Sequence, residues 1–280
     1  KMNATLVHRG PDNDGRWYDM EAGIALGHRR LSIIDVSPEG NEPMISASGR
    51  YIITYNGEIY NYRELRQELE TTGWRFRGHS DTEVMLAAFE KWGLESAVKR
   101  FMGMFAFALW DRQERRLSLV RDRIGEKPLY YGWQGNVFIF ASELKALCAY
   151  PGFSADIDRD SLALFMRHAY IPTPYSIYKG IKKLVPGTII TITRAKPGYY
   201  PEPVPYWSFK QIVEAGMAVP YAGSEDEAIL YLDNLLRDAI KHQMISDVPL
   251  GAFLSGGIDS SAIVALMQAQ SNVPVKTFSI

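Results

Sequence analysis

The residues best suited to chemistry stand late in the sequence, in Phe253-Leu254-Ser255-Gly256-Gly257-Ile258-Asp259-Ser260-Ser261. An apolar run over 248–254 predicts a buried strand that stops at Ser255, and residues 262–267 resume with the apolar density of a helix. Strand, glycine loop and helix bring backbone N–H groups together at a helix N-terminus, where an anion is stabilised. The two glycines let the main chain approach a ligand without a Cβ in the way, and Ser255, Ser260 and Ser261 add hydroxyl donors. No lysine follows the glycines, so this is not the loop in which lysine reaches the β- and γ-phosphates. Asp259 stands there instead, and a carboxylate beside phosphates fits Mg²⁺ held between them. The chemistry suggested is a pyrophosphate grip with attack at an α-phosphate. An ordinary strand-to-helix turn with an Asp or Ser N-cap is spelled by the same letters, so the local pattern leaves both readings open.

The elements that must position such a loop need a chain of sufficient size. At 280 residues the sequence has room for two domains, and 46% hydrophobic with 22% charged residues is an ordinary globular composition. A net charge of −1 argues against a nucleic-acid or anionic-membrane surface. No apolar run approaches the ~20 residues of a membrane-spanning helix, and Lys1-Met2-Asn3-Ala4 lacks the apolar core of a signal peptide. The single cysteine, Cys148, excludes an internal disulfide. A cytoplasmic location is expected, with Cys148 acting as a buried small hydrophobe.

Ahead of the glycine loop the pattern predicts short strands and a few helices. His8-Arg9-Gly10-Pro11-Asp12 reads as a polar turn, residues 26–36 and 51–55 as strands, and Asn56-Gly57 as the turn that ends the second. Asn61 is a candidate N-cap, and Ser80 with Glu83 has capping-box spacing. Strands are expected at 105–110, 117–120, 130–131, 137–140 and 188–192, with short helices near Cys148 and Leu162. A proline-rich interval marks a linker at 206–223 between a domain of residues 1–205 and the start of another at 224–280. Ser224 and Glu227 open an amphipathic helix there, with Ile229, Leu232, Leu235, Leu236, Ala239 and Ile240 on its apolar face.

Taken together, these motifs resemble the glutamine-hydrolysing asparagine synthetases along essentially the whole chain. The resemblance rests on His8-Arg9-Gly10-Pro11-Asp12, Arg30-Leu31-Ser32-Ile33-Ile34-Asp35, Tyr55-Asn56-Gly57-Glu58-Ile59-Tyr60-Asn61 and Ser80-Asp81-Thr82-Glu83. It continues through Gly103-Met104-Phe105-Ala106-Phe107, Arg121-Asp122, Lys127-Pro128-Leu129-Tyr130 and Ser246-Asp247-Val248-Pro249. It implies an α+β N-terminal-nucleophile glutaminase domain, an αββα sandwich, followed by the start of an α/β pyrophosphate-loop domain. Glutamine, ATP and an aspartate acceptor are the implied partners, with Mg²⁺ as cofactor. Arg30 would pair with the glutamine α-carboxylate, Asp81 with its α-ammonium, and Asn56 and Gly57 would form an oxyanion hole. Leu31, Ser32, Ile33, Ile34 and Glu58 would line the same pocket. Ser255, Gly256, Gly257, Asp259, Ser260 and Ser261 would serve pyrophosphate and Mg²⁺ (the metal falling to Asp259), with Phe253, Leu254 and Ile280 around the adenine.

The chain departs from that pattern at its start: residue 1 is lysine, and the family's catalytic cysteine and opening strand are absent ahead of His8. Cys148 sits mid-chain without a free α-amine and cannot substitute. An internal fragment of a longer protein is therefore expected, inactive by itself in either half-reaction. The acceptor remains open between aspartate and another carboxylate, such as a sugar acid of a surface polysaccharide. A β-lactam-forming ligase is disfavoured by the retained Arg30, Asn56, Gly57 and Asp81. A glutamine- or ATP-sensing module is the non-enzymatic alternative, and a homodimer is the commonest closed assembly.

Overall fold

The computed structural model describes residues 1–193 and 196–279. Ile280, expected beside the adenine, lies outside the described residues. The chain divides into two compact units, Lys1–Ser32 with Ser37–Phe209, and Ile33–Val36 with Lys210–Ile280.

In the first unit, β1 (Asn13–Asp19) and β2 (Ile24–Arg30) form an antiparallel hairpin. β2 stops at Arg30 instead of running to residue 36, because the backbone turns off the ladder there. Asp12 takes the Ser32 N–H at 2.8 Å, and Asp35 adopts a left-handed φ of 54° that no strand accommodates. β3 (Met44–Ile45) pairs with β4 (Tyr51–Ile59), which runs straight through Asn56-Gly57. The expected turn is absent: Asn56 faces Ala106 and Gly57 faces Phe105 across the ladder. A Cβ at Gly57 would lie 2.1 Å from the Met104 carbonyl oxygen and 2.9 Å from the Tyr55 ring. Close approach requires the glycine at this position.

Three helices follow, α1 (Tyr62–Thr71), α2 (Asp81–Trp92) and α3 (Leu94–Arg100). Ser80 caps α2 by accepting the Glu83 N–H. Asn61 occupies the N-cap position of α1, but its side chain donates to the Arg100 carbonyl and accepts from the Met102 N–H. Then come β5 (Gly103–Asp111), β6 (Arg116–Arg121), β7 (Tyr130–Gln134), β8 (Val137–Ala141), α4 (Leu144–Cys148) and α5 (Arg159–His168). β9 (Ile181–Lys183), β10 (Thr188–Ile192) and β11 (Val204–Pro205) complete the sheets. The larger sheet runs β11-β10-β6-β5-β4-β3 and the smaller β8-β7-β9.

Side-chain alternation stacks these elements in layers. One face of the larger sheet sends Phe105 and Phe107 against Phe89 of α2 and Phe101 beyond α3, at ring separations of 5.6–6.2 Å. Its opposite face joins Ile52, Ala106, Ala108, Trp110, Leu119 and Ile190 to Leu26 of β2 and Tyr131 of β7 in one core. Leu147 of α4 covers the far side of the smaller sheet with Ile139 and Ile181. The order is helix, sheet, sheet, helix. Burial on both faces explains why β5 reads as an unbroken apolar run rather than an alternating one.

In the second unit, α6 (Phe209–Ala218) occupies part of the interval expected as linker. α7 (Glu225–Gln243) opens with a complete capping box between Ser224 and Glu227. Of its expected apolar face only Ile240 is buried, while Ile229, Leu232, Leu235 and Leu236 are exposed. β12 (Gly251–Phe253), α8 (Ile258–Ala269) and β13 (Lys276–Phe278) make a parallel strand–helix–strand unit. Among the described residues no helix is long and apolar enough to cross a membrane.

Phe89 joins three ring pairs, with Tyr51, Phe101 and Phe107. Phe89→Ala should cost about 3–5 kcal/mol, read as a lower urea midpoint; an unchanged midpoint contradicts this account of the helix–sheet interface.

Candidate functional site

Arg30 is placed by the polar motif that precedes β1. Asp12 donates its N–H to the Arg30 carbonyl at 3.0 Å, and Arg29 Nε donates to the Gly10 carbonyl at 2.9 Å. The buried Arg30 guanidinium donates through Nη1 to the Ser37 carbonyl at 2.8 Å and to Asn41 Oδ1 at 2.9 Å, which fixes its plane. Beyond it Leu31 is exposed and Ser32 is half-buried, whereas Ile33 and Ile34 belong to the second unit. Within that unit, Ile33 accepts the Asp247 N–H at 2.9 Å and Asp35 donates its N–H to Asp247 Oδ2 at 2.7 Å.

Asp81, the first residue of α2, is buried against β4. Its Oδ2 accepts from the Tyr55 hydroxyl and the Ile59 N–H, both at 2.9 Å, and its Oδ1 accepts from the Thr82 N–H at 2.9 Å. Burial raises its carboxyl above the ordinary range, and these bonds oppose the rise. Glu58, two positions after Asn56 on β4, is raised by burial and by Asp81 and lowered by Lys127. A second buried carboxyl, Glu42, stands beside Asp81 and Arg30 and is pushed well above its ordinary value, chiefly by burial. His28 on β2 approaches Glu42 at 3.8 Å, and burial drives its imidazole down to about 4. Arg30, Glu58 and Asp81 thus share one electrostatic environment, with Asn56 and Gly57 on the strand that carries Glu58.

Asn56 Nδ2 lies 3.5 Å from Ser142 Oγ at the end of β8. The loop after β6 is shaped by Asp122, whose carboxylate accepts the N–H groups of Gly125 (2.6 Å), Glu126 (2.8 Å), Lys127 (2.9 Å) and Phe105 (3.2 Å). Arg121 ties the same loop down by donating to the carbonyls of Lys127, Gly125 and Leu184. Lys127 is thereby brought to Glu58.

In the second unit the glycine loop folds its hydroxyls over its own N–H groups. Ser260 Oγ accepts the Ser255 N–H at 3.3 Å and meets Ser255 Oγ at 3.0 Å, and Gly257 donates its N–H to Ser255 Oγ at 3.5 Å. Gly256 has φ 79°, and no atom lies within 4 Å of the point where a Cβ would stand, so the loop is open on that side. Ser261 Oγ donates to the Gly257 carbonyl at 2.8 Å, while Phe253 and Asp259 are exposed. One carboxylate next to hydroxyls and N–H groups at a helix start suits Mg²⁺ carried by a polyphosphate. Among the described residues no three His, Cys, Asp or Glu side chains converge on a metal position by themselves.

Cys148 is exposed, against the expectation of burial. α4 turns Ala146 and Leu147 inward, and the next position faces outward with its sulfur at the Tyr178 hydroxyl. Sequence reasoning missed Glu42, His28, Tyr55 and Thr82. Tyr55 and Thr82 adjoin Asn56 and Asp81 and were within reach, but nothing in the type of Glu42 signals burial, since an unpaired glutamate is normally solvated.

A family model described as "Glutamine amidotransferase domain" matches residues 1–207, and one described as "Asparagine synthase" matches residues 231–280. The chain is 40% identical over 280 residues to "Asparagine synthetase [glutamine-hydrolyzing] 1" of Bacillus subtilis, covering 100% of this chain and 42% of that protein. It is 39% identical over 309 residues to "Putative asparagine synthetase [glutamine-hydrolyzing] 2" of Methanocaldococcus jannaschii, covering 100% of this chain and 56% of that one. The chain therefore spans about half the length of these relatives. Among solved structures, the glutamine phosphoribosylpyrophosphate amidotransferase of B. subtilis aligns with a TM-score of 0.46 and 21% identity, over 65% of this chain and 35% of that one.

The depressed His28 has a signed consequence. Above its ordinary value of 6.5 folded and unfolded chains both hold it neutral; as pH falls toward about 4 only the unfolded chain takes up the proton. Stability contributed by neutral His28 is thus lost on acidification through that window, by roughly 3 kcal/mol. Thermal unfolding of wild type and His28→Gln across the window should show a steeper acid loss in wild type; parallel curves contradict a neutral His28 imidazole in the folded chain.

Proposed function

Because the chain belongs to the glutamine amidotransferase domain family, we propose that its first unit forms the glutamine pocket from which the complete protein frees ammonia, the chain by itself being inactive. In the complete protein, that ammonia serves an ATP-dependent conversion of aspartate to asparagine in the cytoplasm. The observation that supports this reading is a buried arginine, Arg30, and a buried carboxyl, Asp81, that both act on Glu42, with Asp81 bonded to the strand that carries Asn56 and Gly57. An α-amino acid needs that pairing. The planar Arg30 fork, oriented by Ser37 and Asn41, receives the α-carboxylate. Asp81, with Glu58 close by, receives the α-ammonium. The side chain then extends along β4, where Asn56 Nδ2 and the Gly57 N–H stabilise the oxyanion formed when the family's cysteine thiol, supplied by the complete protein, adds to the amide carbon. The C–N bond then breaks, the nitrogen leaves protonated as ammonia, and water hydrolyses the thioester to glutamate, each oxyanion donor contributing about 10²–10³ in rate. Cys148, exposed on α4 and without a free amine, takes no part.

In the second unit, Ser255, Gly256, Gly257, Ser260 and Ser261 hold the pyrophosphate of ATP, their N–H groups exchanging hydroxyl acceptors within the loop for phosphate oxygens. Asp259 would hold Mg²⁺, which would supply neutralisation of phosphate charge there. The backbones of Phe253 and Leu254 flank the adenine. The aspartate side-chain carboxylate becomes an acyl adenylate with release of pyrophosphate, and ammonia displaces AMP. The matches to asparagine synthase and to the two relatives support this half of the reading.

Calorimetric titration of the chain with L-glutamine should give saturable binding. Arg30→Ala and Asp81→Asn should each weaken it about 10- to 100-fold, the worth of a hydrogen bond to a charged group. No binding by the wild type, or undiminished binding by both variants, overturns the proposal.

A further inference from the structure

Glu42 is buried in the first unit and has no part in the reading above. Its side chain is 5% exposed, with Oε2 accepting the Tyr55 N–H at 2.6 Å and Oε1 in contact with the Thr82 hydroxyl at 3.2 Å. The same two residues grip Asp81, Tyr55 through its hydroxyl and Thr82 through its N–H, each at 2.9 Å. Both carboxyls therefore hang on one pair of residues, and a displaced Glu42 displaces the donors that aim Asp81. The charged and titratable groups facing Glu42 are His28 and Arg30 from β2, Tyr55 from β4, and Asp81 from α2.

We infer that Glu42 is a positioning residue of the glutamine site, an uncharged carboxyl that keys Tyr55 and Thr82 so that Asp81 meets the substrate ammonium in one orientation. This rests on the glutamine reading of that site. Two neighbouring buried carboxyls do not both ionise readily, and the hydrogen bonds decide which keeps its proton. Asp81 accepts three, from Tyr55, Ile59 and Thr82, whereas Glu42 accepts two, the Tyr55 N–H and the Thr82 hydroxyl. A hydroxyl accepts as well as donates, so a protonated Oε1 can donate to Thr82 Oγ1 while Oε2 still takes the Tyr55 N–H. His28, neutral above about 4, adds no charge to Arg30, whose pull toward the anion is smaller than the opposing effects of burial and of Asp81. Ionisation of Glu42 at alkaline pH would set a second negative charge beside Asp81 and loosen the Thr82 contact. A glutamine side chain reproduces the neutral arrangement, with its carbonyl to Tyr55 and its amide nitrogen to Thr82.

The test titrates L-glutamine into wild type, Glu42→Gln and Glu42→Ala over about pH 6 to 9, and follows Tm without ligand over the same range. Glu42→Ala should bind about tenfold or more weakly, as expected for a misaimed contact group. Glu42→Gln should restore affinity at neutral pH and lack the alkaline weakening of the wild type. The Tm of wild type should fall relative to Glu42→Gln as pH rises, because the unfolded chain releases a proton that folded Glu42 retains. Superimposable pH profiles for wild type and Glu42→Gln overturn the inference, even if Glu42→Ala fails to fold. Equal glutamine binding by all three proteins also overturns it and leaves the glutamine reading standing. A wild type that binds no glutamine overturns both.

Discussion

A carboxylate removed from water must find donors or give up its charge, and the first unit is arranged around that constraint at Asp81. Its three donors come from different places: the ring of Tyr55 and the backbone of Ile59 on β4, and the first turn of α2. Satisfying one side chain therefore locks the end of a central strand to the start of a helix. The helix N-terminus adds its own partial positive charge in the same spot. Glu58 on the same strand, and Arg30 at the end of β2, are then held to the surroundings of one charge.

The strand that carries Asn56, Gly57 and Glu58 can be so well defined because its sheet is covered on both sides. Phenylalanines from β5 meet Phe89 and Phe101 on the helical side, and Ile52 and Trp110 meet Tyr131 and Leu26 on the other. Close-packed interiors leave few alternative rotamers for their neighbours. A polar pocket at the rim of such a sheet inherits that rigidity, which is what a site that binds through direction and charge requires.

Much of this was legible from letters alone wherever a local rule governs. Ser80 and Ser224 cap helices because a side-chain oxygen at that spacing reaches an orphan N–H, and both do so. The apolar runs at β5, β6 and β10 also became strands close to where their composition places them. The failures arose where tertiary contacts override the local rule. Asn56-Gly57 has the composition of a turn, yet pairing with Ala106 and Phe105 of β5 keeps it in the strand. β2 ends early because Asp12, far back along the chain from Arg30, captures the next segment. Cys148 faces outward because α4 spends its inward positions on Ala146 and Leu147. Glu42 is the deepest of the omissions: a carboxyl buried by neighbours distant in sequence carries no periodic signature.

The cradle that Asp122 makes has a consequence for variation. It grips the segment 125–127 through peptide N–H groups, which every residue but proline possesses, so the path of the loop does not depend on the side chains of Glu126 and Lys127; only Gly125 is constrained, since at φ 77° a Cβ would stand 2.7 Å from the Pro186 ring. Ile124 and Glu126 are exposed on a frame their side chains do not help to build. At Ile124 and Glu126 the chemistry of the rim can therefore be changed by substitution while its outline, and the placement of Lys127, stays put.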